Sequence, residues 1–250
     1  QDELKRKVDA ISFRVTKEEC LDLPEKTFVE RHVALNKDEL RIYKEMAHEM
    51  VASIGEEEVA ANIILVKLLR LQQITSGFIS GEDGKVIHVG NSKLNELKEL
   101  LEELEGQKVI VWINFKEEYV RISKLLQEMK LKTYRLISED SSEERQQNVD
   151  GFQSTTDSCI MLGSTRVGGV GVTLTGASHA VYFSNRWSYG DRLQSQDRCY
   201  RIGQTKKVTY HDLLVPNSID TYIMKKLKMK ESISDKLTGD DLKKIMFDND

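Results

Sequence analysis

Proline is nearly absent from this chain, occurring only at Pro24 and Pro216 among 250 residues. That scarcity favours a compact body over a proline-rich linker. Cysteine is sparse as well: Cys20, Cys159 and Cys199 are odd in number, far apart and without a Cys-x-x-Cys pair. Neither a disulfide framework nor a zinc site is supported, and a reducing setting fits. No apolar run approaches the roughly 18 residues that span a bilayer, and Gln1-Asp-Glu-Leu-Lys5 has no signal-peptide character. No membrane partner and no export are therefore expected. Also missing is Gly-x-x-x-x-Gly-Lys-Ser/Thr, the loop that cradles nucleotide phosphates and supplies a magnesium-binding hydroxyl. Asp2-Glu3 and Asp38-Glu39 are the only Asp-Glu pairs, and neither follows a buried apolar strand as a magnesium-binding acidic motif would. No metal ligand is expected in the chain.

What is present is an ordinary globular composition, 39% hydrophobic and 31% charged, enough for one large or two modest domains. The formal charge of −4 argues against a nonspecific nucleic-acid coat, yet the charge is unevenly spread. Between Asn185 and Lys207 stand Arg186, Arg192, Arg198, Arg201, Lys206 and Lys207 against only Asp191 and Asp197.

Residues 1 to about 92 read as an irregular start followed by a helical subdomain. Asn36 and Glu39 are spaced as a capping box before Leu40, Tyr43, Ala47 and Met50. A second helix is expected over Ala60 to Gln73, and a short hairpin about Gly81-Glu-Asp-Gly84. Leu94, Leu97, Leu101 and Leu104 share a helical face whose remainder is acidic. From Lys108 to about 217, short apolar runs alternate with amphipathic segments: Val109–Ile113, Thr133–Leu136, Cys159–Leu162, Ala180–Phe183 and Val208–Leu214. That alternation implies a parallel sheet covered by helices on both faces, with ligands beyond the carboxyl ends of its strands. A closing helix from Ser218 and a polar tail complete residues 218–250.

Gln194, Arg198 and Arg201 fall at i, i+4 and i+7 of a helix expected over residues 190 to 201. Two guanidiniums on one face suit a phosphate, whose oxygens accept bidentately; a solvated basic face is the other reading. Gly163-Ser-Thr-Arg-Val-Gly-Gly-Val-Gly171 follows an apolar run, so its backbone can approach a phosphate or ribose, or simply form a tight turn. Leu174 stands where the third glycine of a dinucleotide fingerprint would fall.

The run Gln194-x-x-x-Arg198-x-x-Arg201-x-Gly203-Gln204 resembles the last helicase motif of Swi/Snf-type DNA translocases in helicase superfamily two. Its Gly-Gln ending differs from the Gly-Arg usual in DEAD-box RNA helicases. Ser164 to Leu174 is similar to the fifth motif of the family, with Val167 for Ala and Thr173 for Asn. Lys108 to Phe115 is similar to the fourth, and Leu69-Arg-Leu-Gln-Gln73 and Ser92-Lys93-Leu94 match further family phrases.

The resemblance implies a RecA-like C-terminal helicase lobe over residues 93–217, behind a linker and helical subdomain and before a brace helix. It implies arginine fingers at Arg198 and Arg201, nucleotide contacts at Gln194, Gly169 and Gly171, and DNA contacts at Asn114, Ser164, Thr165 and Trp187. Arg145 would hold a phosphate or pair with a neighbour such as Glu144, and Trp187 has a half-buried core position as its competing reading. The implied partners are an N-terminal RecA-like lobe of the same polypeptide and double-stranded DNA. ATP and Mg2+ belong to the two-lobe enzyme, and this chain alone is expected to be inactive. A noncatalytic DNA- or protein-binding module, or a lobe of a strand-separating helicase, is the alternative. A prokaryotic or phage motor in the cytoplasm is favoured, with the nucleus implied for a eukaryotic one.

Overall fold

A computed structural model describes residues 23–54, 61–81, 84–169 and 171–229, with residues 3, 6, 7, 11 and 12 before them. Cys20, most of Gln1 to Lys5, and the polar tail from 230 lie outside the described residues. Six strands form one parallel sheet: β1 (Lys26–His32), β4 (Lys108–Ile113), β5 (Thr133–Leu136), β6 (Cys159–Ser164), β7 (His179–Tyr182) and β8 (Val208–Leu214), in the order β1-β8-β7-β4-β6-β5. A separate antiparallel pair, β2 (Phe78–Ser80) and β3 (Val86–His88), is the expected hairpin.

Side-chain alternation in the strands assigns the two faces. Val109, Val111 and Ile113 of β4 pack with Leu97, Leu100 and Leu101 of α3 (Ser92–Glu103) and Ile122, Leu125 and Leu126 of α4 (Lys116–Glu128). Ile110 and Trp112 face the other way, with Val149 and Phe152 of α5 (Ser142–Ser154) and Cys199 of α6 (Tyr189–Cys199). Helices thus cover both faces, which is why the central strands read as unbroken apolar runs. The architecture is the RecA-like α/β fold.

The helical subdomain has a core of its own. Tyr43 and Ala47 of α1 (Lys37–Ile54) and Leu68, Leu71 and Ile74 of α2 (Ala61–Thr75) meet Ile219, Ile223 and Leu227 of the closing helix α7 (Ile219–Lys228). The Asn36/Glu39 capping box forms: Glu39 N–H donates to Asn36 Oδ1 at 3.0 Å, and Asn36 N–H to Glu39 Oε2 at 2.9 Å. Glu39 also accepts from the backbone and hydroxyl of Ser92, so one carboxylate caps α1 and α3 together. A buried Lys93–Asp220 ion pair at 2.5 Å then ties α3 to α7.

At the near end of the chain, β1 pairs with β8 in parallel register and supplies the sixth strand of the sheet. Its charged residues, Lys26, Glu30 and Arg31, suit an edge. The helix expected through 201 stops at Cys199, where Tyr200 turns to φ −101° and ψ 78°. Arg201 therefore leaves α6 on a bend and does not continue the i, i+4, i+7 row.

Candidate functional site

Strand register sets the first half of the site. Trp112 of β4 lies opposite Gly163 of β6 and Tyr182 of β7, so Asn114, Ser164 and Ser184 emerge side by side at the carboxyl edge. Asn114 and Ser164 line a cavity of about 350 Å³ with Lys116, Tyr119, Ser138 and Arg166. Arg166 is exposed, and its backbone N–H donates to Ser164 Oγ at 3.3 Å. Thr165, the next expected contact, is buried to 7% exposure; its Oγ1 has no hydrogen-bond partner among the described residues. The backbone of Thr165–Gly169 turns as a short 3-10 helix. Gly171 is exposed, and a side chain built there would meet nothing within 4 Å.

Glu118, which sequence reasoning did not single out, holds this edge in shape. Its buried carboxylate accepts from Asn114 N–H at 2.8 Å, Phe115 N–H at 3.0 Å, Ser184 Oγ at 2.8 Å and Ser76 Oγ at 2.6 Å. Burial pushes its pKa up, and these four hydrogen bonds oppose the shift. The signal was its place three residues after Phe115, where a helix-capping carboxylate sits. Arg121, one turn later, donates to Ser76 O and Asn91 Oδ1 at 2.6 Å each, tying the hairpin region to α4.

The second half is α6. Arg192, 3.4 Å above the Tyr182 ring, docks this helix on the sheet and makes a bidentate pair with Asp212 of β8 at 2.6 and 2.9 Å. Burial opposes its charge, but Asp212 and the tyrosines outweigh burial and hold its pKa above the ordinary value. Arg198 is 4% exposed, its guanidinium carbon 5.9 Å from the Trp112 ring centroid. Burial and, to a lesser degree, the charge of Arg201 push the Arg198 pKa down. Arg201 is half-buried with no carboxylate partner among the described residues. Gln194 is exposed one turn before Arg198. The 3-10 segment packs against α6, and Leu174 N–H donates to Arg198 O at 2.9 Å, so the glycine loop and the arginines are neighbours.

Gln204 has a structural explanation. Its Nε2 donates to the carbonyls of Thr175, Ala177 and Cys199 at 3.2, 2.9 and 3.0 Å, while Oε1 accepts from Lys206 N–H. It staples the end of α6 to the loop after the glycines, a task that needs donor and acceptor on one side chain. Trp187 does not line the cavity; it is half-buried, edge-on to Tyr222 of α7 at 6.2 Å. Arg145 donates to Ser138 O at 3.1 Å.

Two like-charged guanidiniums held within electrostatic reach of each other fit a polyanionic group such as a triphosphate. A magnesium site fits less well, because no group of three or more His, Cys, Asp or Glu residues suited to a metal occurs among the described residues.

Residues 92–203 match the helicase conserved C-terminal domain. The chain is 27% identical over 244 residues to an uncharacterized ATP-dependent helicase of Mycoplasma genitalium, covering 96% of this chain and 23% of that protein. It is 31% identical over 153 residues to the chromatin-remodeling ATPase INO80 of Mycosarcoma maydis, covering 60% and 8%. The solved SWI2/SNF2 ATPase core of Sulfolobus solfataricus, in complex with double-stranded DNA, superposes at a TM-score of 0.73 with 25% identity, over 98% of this chain and 56% of that one. The chain carries a Swi/Snf-type helicase C-terminal lobe. It spans less than a quarter of the length of these curated relatives. Among the described residues, no helix is long and apolar enough to cross a membrane.

Proposed function

We propose that this Swi/Snf-type lobe is the second motor lobe of an ATP-dependent translocase on double-stranded DNA. The observation that carries the reading is one continuous segment: Ser164 and Arg166 line the Asn114 cavity, and the Thr165–Gly169 turn packs against α6, the helix that carries Arg198. In this reading Arg201, with Arg198 behind it, faces the phosphates held by a first lobe and stabilises charge developing during phosphoryl transfer. Gln194, Gly169 and Gly171 border the same nucleotide. ATP with Mg2+ supplies the transferable phosphoryl group, and the first lobe of the same polypeptide supplies the magnesium ligands. Asn114, Ser164 and Thr165 face the DNA side, where contacts to backbone phosphates position the duplex without reading sequence, while Trp187 packs on Tyr222 of α7 instead. The lobe alone is inactive. Relatives occur in a bacterium and in fungi, which accommodates either a cytoplasmic or a nuclear motor.

The test is a split between two variants of the complete two-lobe polypeptide. Ser164→Ala should raise the duplex concentration needed for half-maximal ATP turnover and leave the saturated rate nearly intact. Arg201→Ala should do the reverse. Identical behaviour of the two variants would remove the assignment of separate sites.

A further inference from the structure

Asn185 follows Ser184 in the loop after β7 and is 6% exposed. Three of its polar atoms are engaged by three different elements. Its carbonyl accepts from Gln72 Nε2 of α2 at 2.5 Å, its Nδ2 donates to Asp212 Oδ1 of β8 at 2.9 Å, and its Oδ1 accepts from Arg192 Nη1 of α6 at 2.6 Å. Its chain neighbour is fixed to the cavity loop, since Asn114 N–H donates to Ser184 Oγ at 3.1 Å. Gln72 completes a second link: a carbonyl can only accept, so the Gln72 amide nitrogen must face Asn185, and Oε1 is left 3.5 Å from Asn114 Nδ2. Arg192 lies six residues before Arg198 on the same helix, about 9 Å along its axis at the usual rise. An unbroken set of directional bonds thus runs from the cavity loop to the helix carrying Arg198.

An apolar contact would dock α6 without the cost of burying a charged pair, but it would leave the helix free to roll and slide. Hydrogen bonds to both ends of one amide fix rotation as well as distance. We propose that Asn185 is a positioning residue: it couples the orientation of α6 to the Asn114 loop, so that a nucleic-acid backbone held at that loop sets the arginines for phosphoryl transfer. This rests on the proposed function above.

The test is ATP turnover by the complete two-lobe polypeptide with and without saturating duplex DNA, for wild type, Asn185→Ala and Gln72→Met. Melting curves would accompany each. Asn185→Ala should cut duplex-saturated turnover about tenfold while basal turnover and half-saturating duplex concentration stay within about twofold, a split within the usual range of coupling between sites. Gln72→Met removes the grip on the Asn185 carbonyl from the α2 side and should show the same split, serving as the measurement if Asn185→Ala does not fold. Wild-type turnover that duplex DNA does not raise overturns both this inference and the function it rests on. Duplex stimulation in the wild type that a folded Asn185→Ala or Gln72→Met protein keeps in full, or basal and stimulated rates falling by one common factor, overturns the coupling alone.

Discussion

Arg201 and Gln204 lie three residues apart in one motif and differ in what supports them. Arg201 is half-buried without a carboxylate partner among the described residues, so replacing it should remove charge and leave packing intact. Arg201→Ala should fold with an unchanged melting temperature while the complete enzyme loses most of its turnover, roughly a thousandfold if it acts as an arginine finger. Activity near wild type would discard the finger. Gln204 is bound on every side, and Gln204→Ala strands three carbonyls at the end of α6 and in its neighbouring loop. A loss of roughly 2–3 kcal/mol is expected, lowering the melting temperature of a chain this size by about 5–10 °C. Thermal unfolding of the lobe checks it. Within the motif, the sequence alone does not separate a side chain held by contacts on every side from one without a carboxylate partner. The Gly-Gln ending marked a branch of the family, and only the contacts identify Gln204 as a staple.

Element by element, the sheet was legible because buried parallel strands write themselves as apolar runs, and all five runs between Val109 and Leu214 became strands. β1 was harder. Its Lys-Thr-Phe-Val-Glu-Arg-His sequence is that of a charged edge, and only its pairing with β8 assigns it to the sheet. The end of α6 was illegible because neither Gly nor Pro marks Tyr200, and tertiary contacts set the bend. The docking of α6 was invisible for another reason: Arg192 and Asp212 are distant in sequence and look like surface charges. Arg192→Met should destabilise by about 3–5 kcal/mol by stranding a buried carboxylate, and adding Asp212→Leu should recover most of the loss. Denaturant titration of the single and double variants decides it; a double variant no better than the single would contradict the pairing.

The same strands hold a pH-sensitive element. His179 Nδ1 and His211 Nε2 lie 3.2 Å apart on β7 and β8, with Arg31 of β1, Glu103 of α3 and Asp212 nearby. Burial, then His179 and Arg31, depress the His211 pKa to about 4. A depressed histidine binds its proton more readily in the unfolded chain. Stability should therefore be unaffected above about pH 6.5 and fall as pH drops toward 4, by roughly 1–3 kcal/mol. His211→Gln should flatten that part of the stability–pH curve; an unchanged slope would assign the loss to other groups.

For the whole molecule, the polar cavity at the carboxyl edge of the sheet and the helix α6 that carries Arg198 are joined by hydrogen bonds through the loops after β4 and β7. Among the described residues, no group of three or more His, Cys, Asp or Glu residues is placed to hold a metal ion. The central claim is that nucleotide turnover by the two-lobe protein answers to duplex DNA through the cavity and α6. ATP hydrolysis by the complete polypeptide, measured without nucleic acid, with single-stranded DNA and with duplex DNA beside Arg201→Ala, tests it most directly. The account predicts strong stimulation by duplex, weaker by single strands, and loss of both in the variant. Turnover indifferent to DNA, or no turnover under any condition, would contradict it and leave a noncatalytic binding module as the better description.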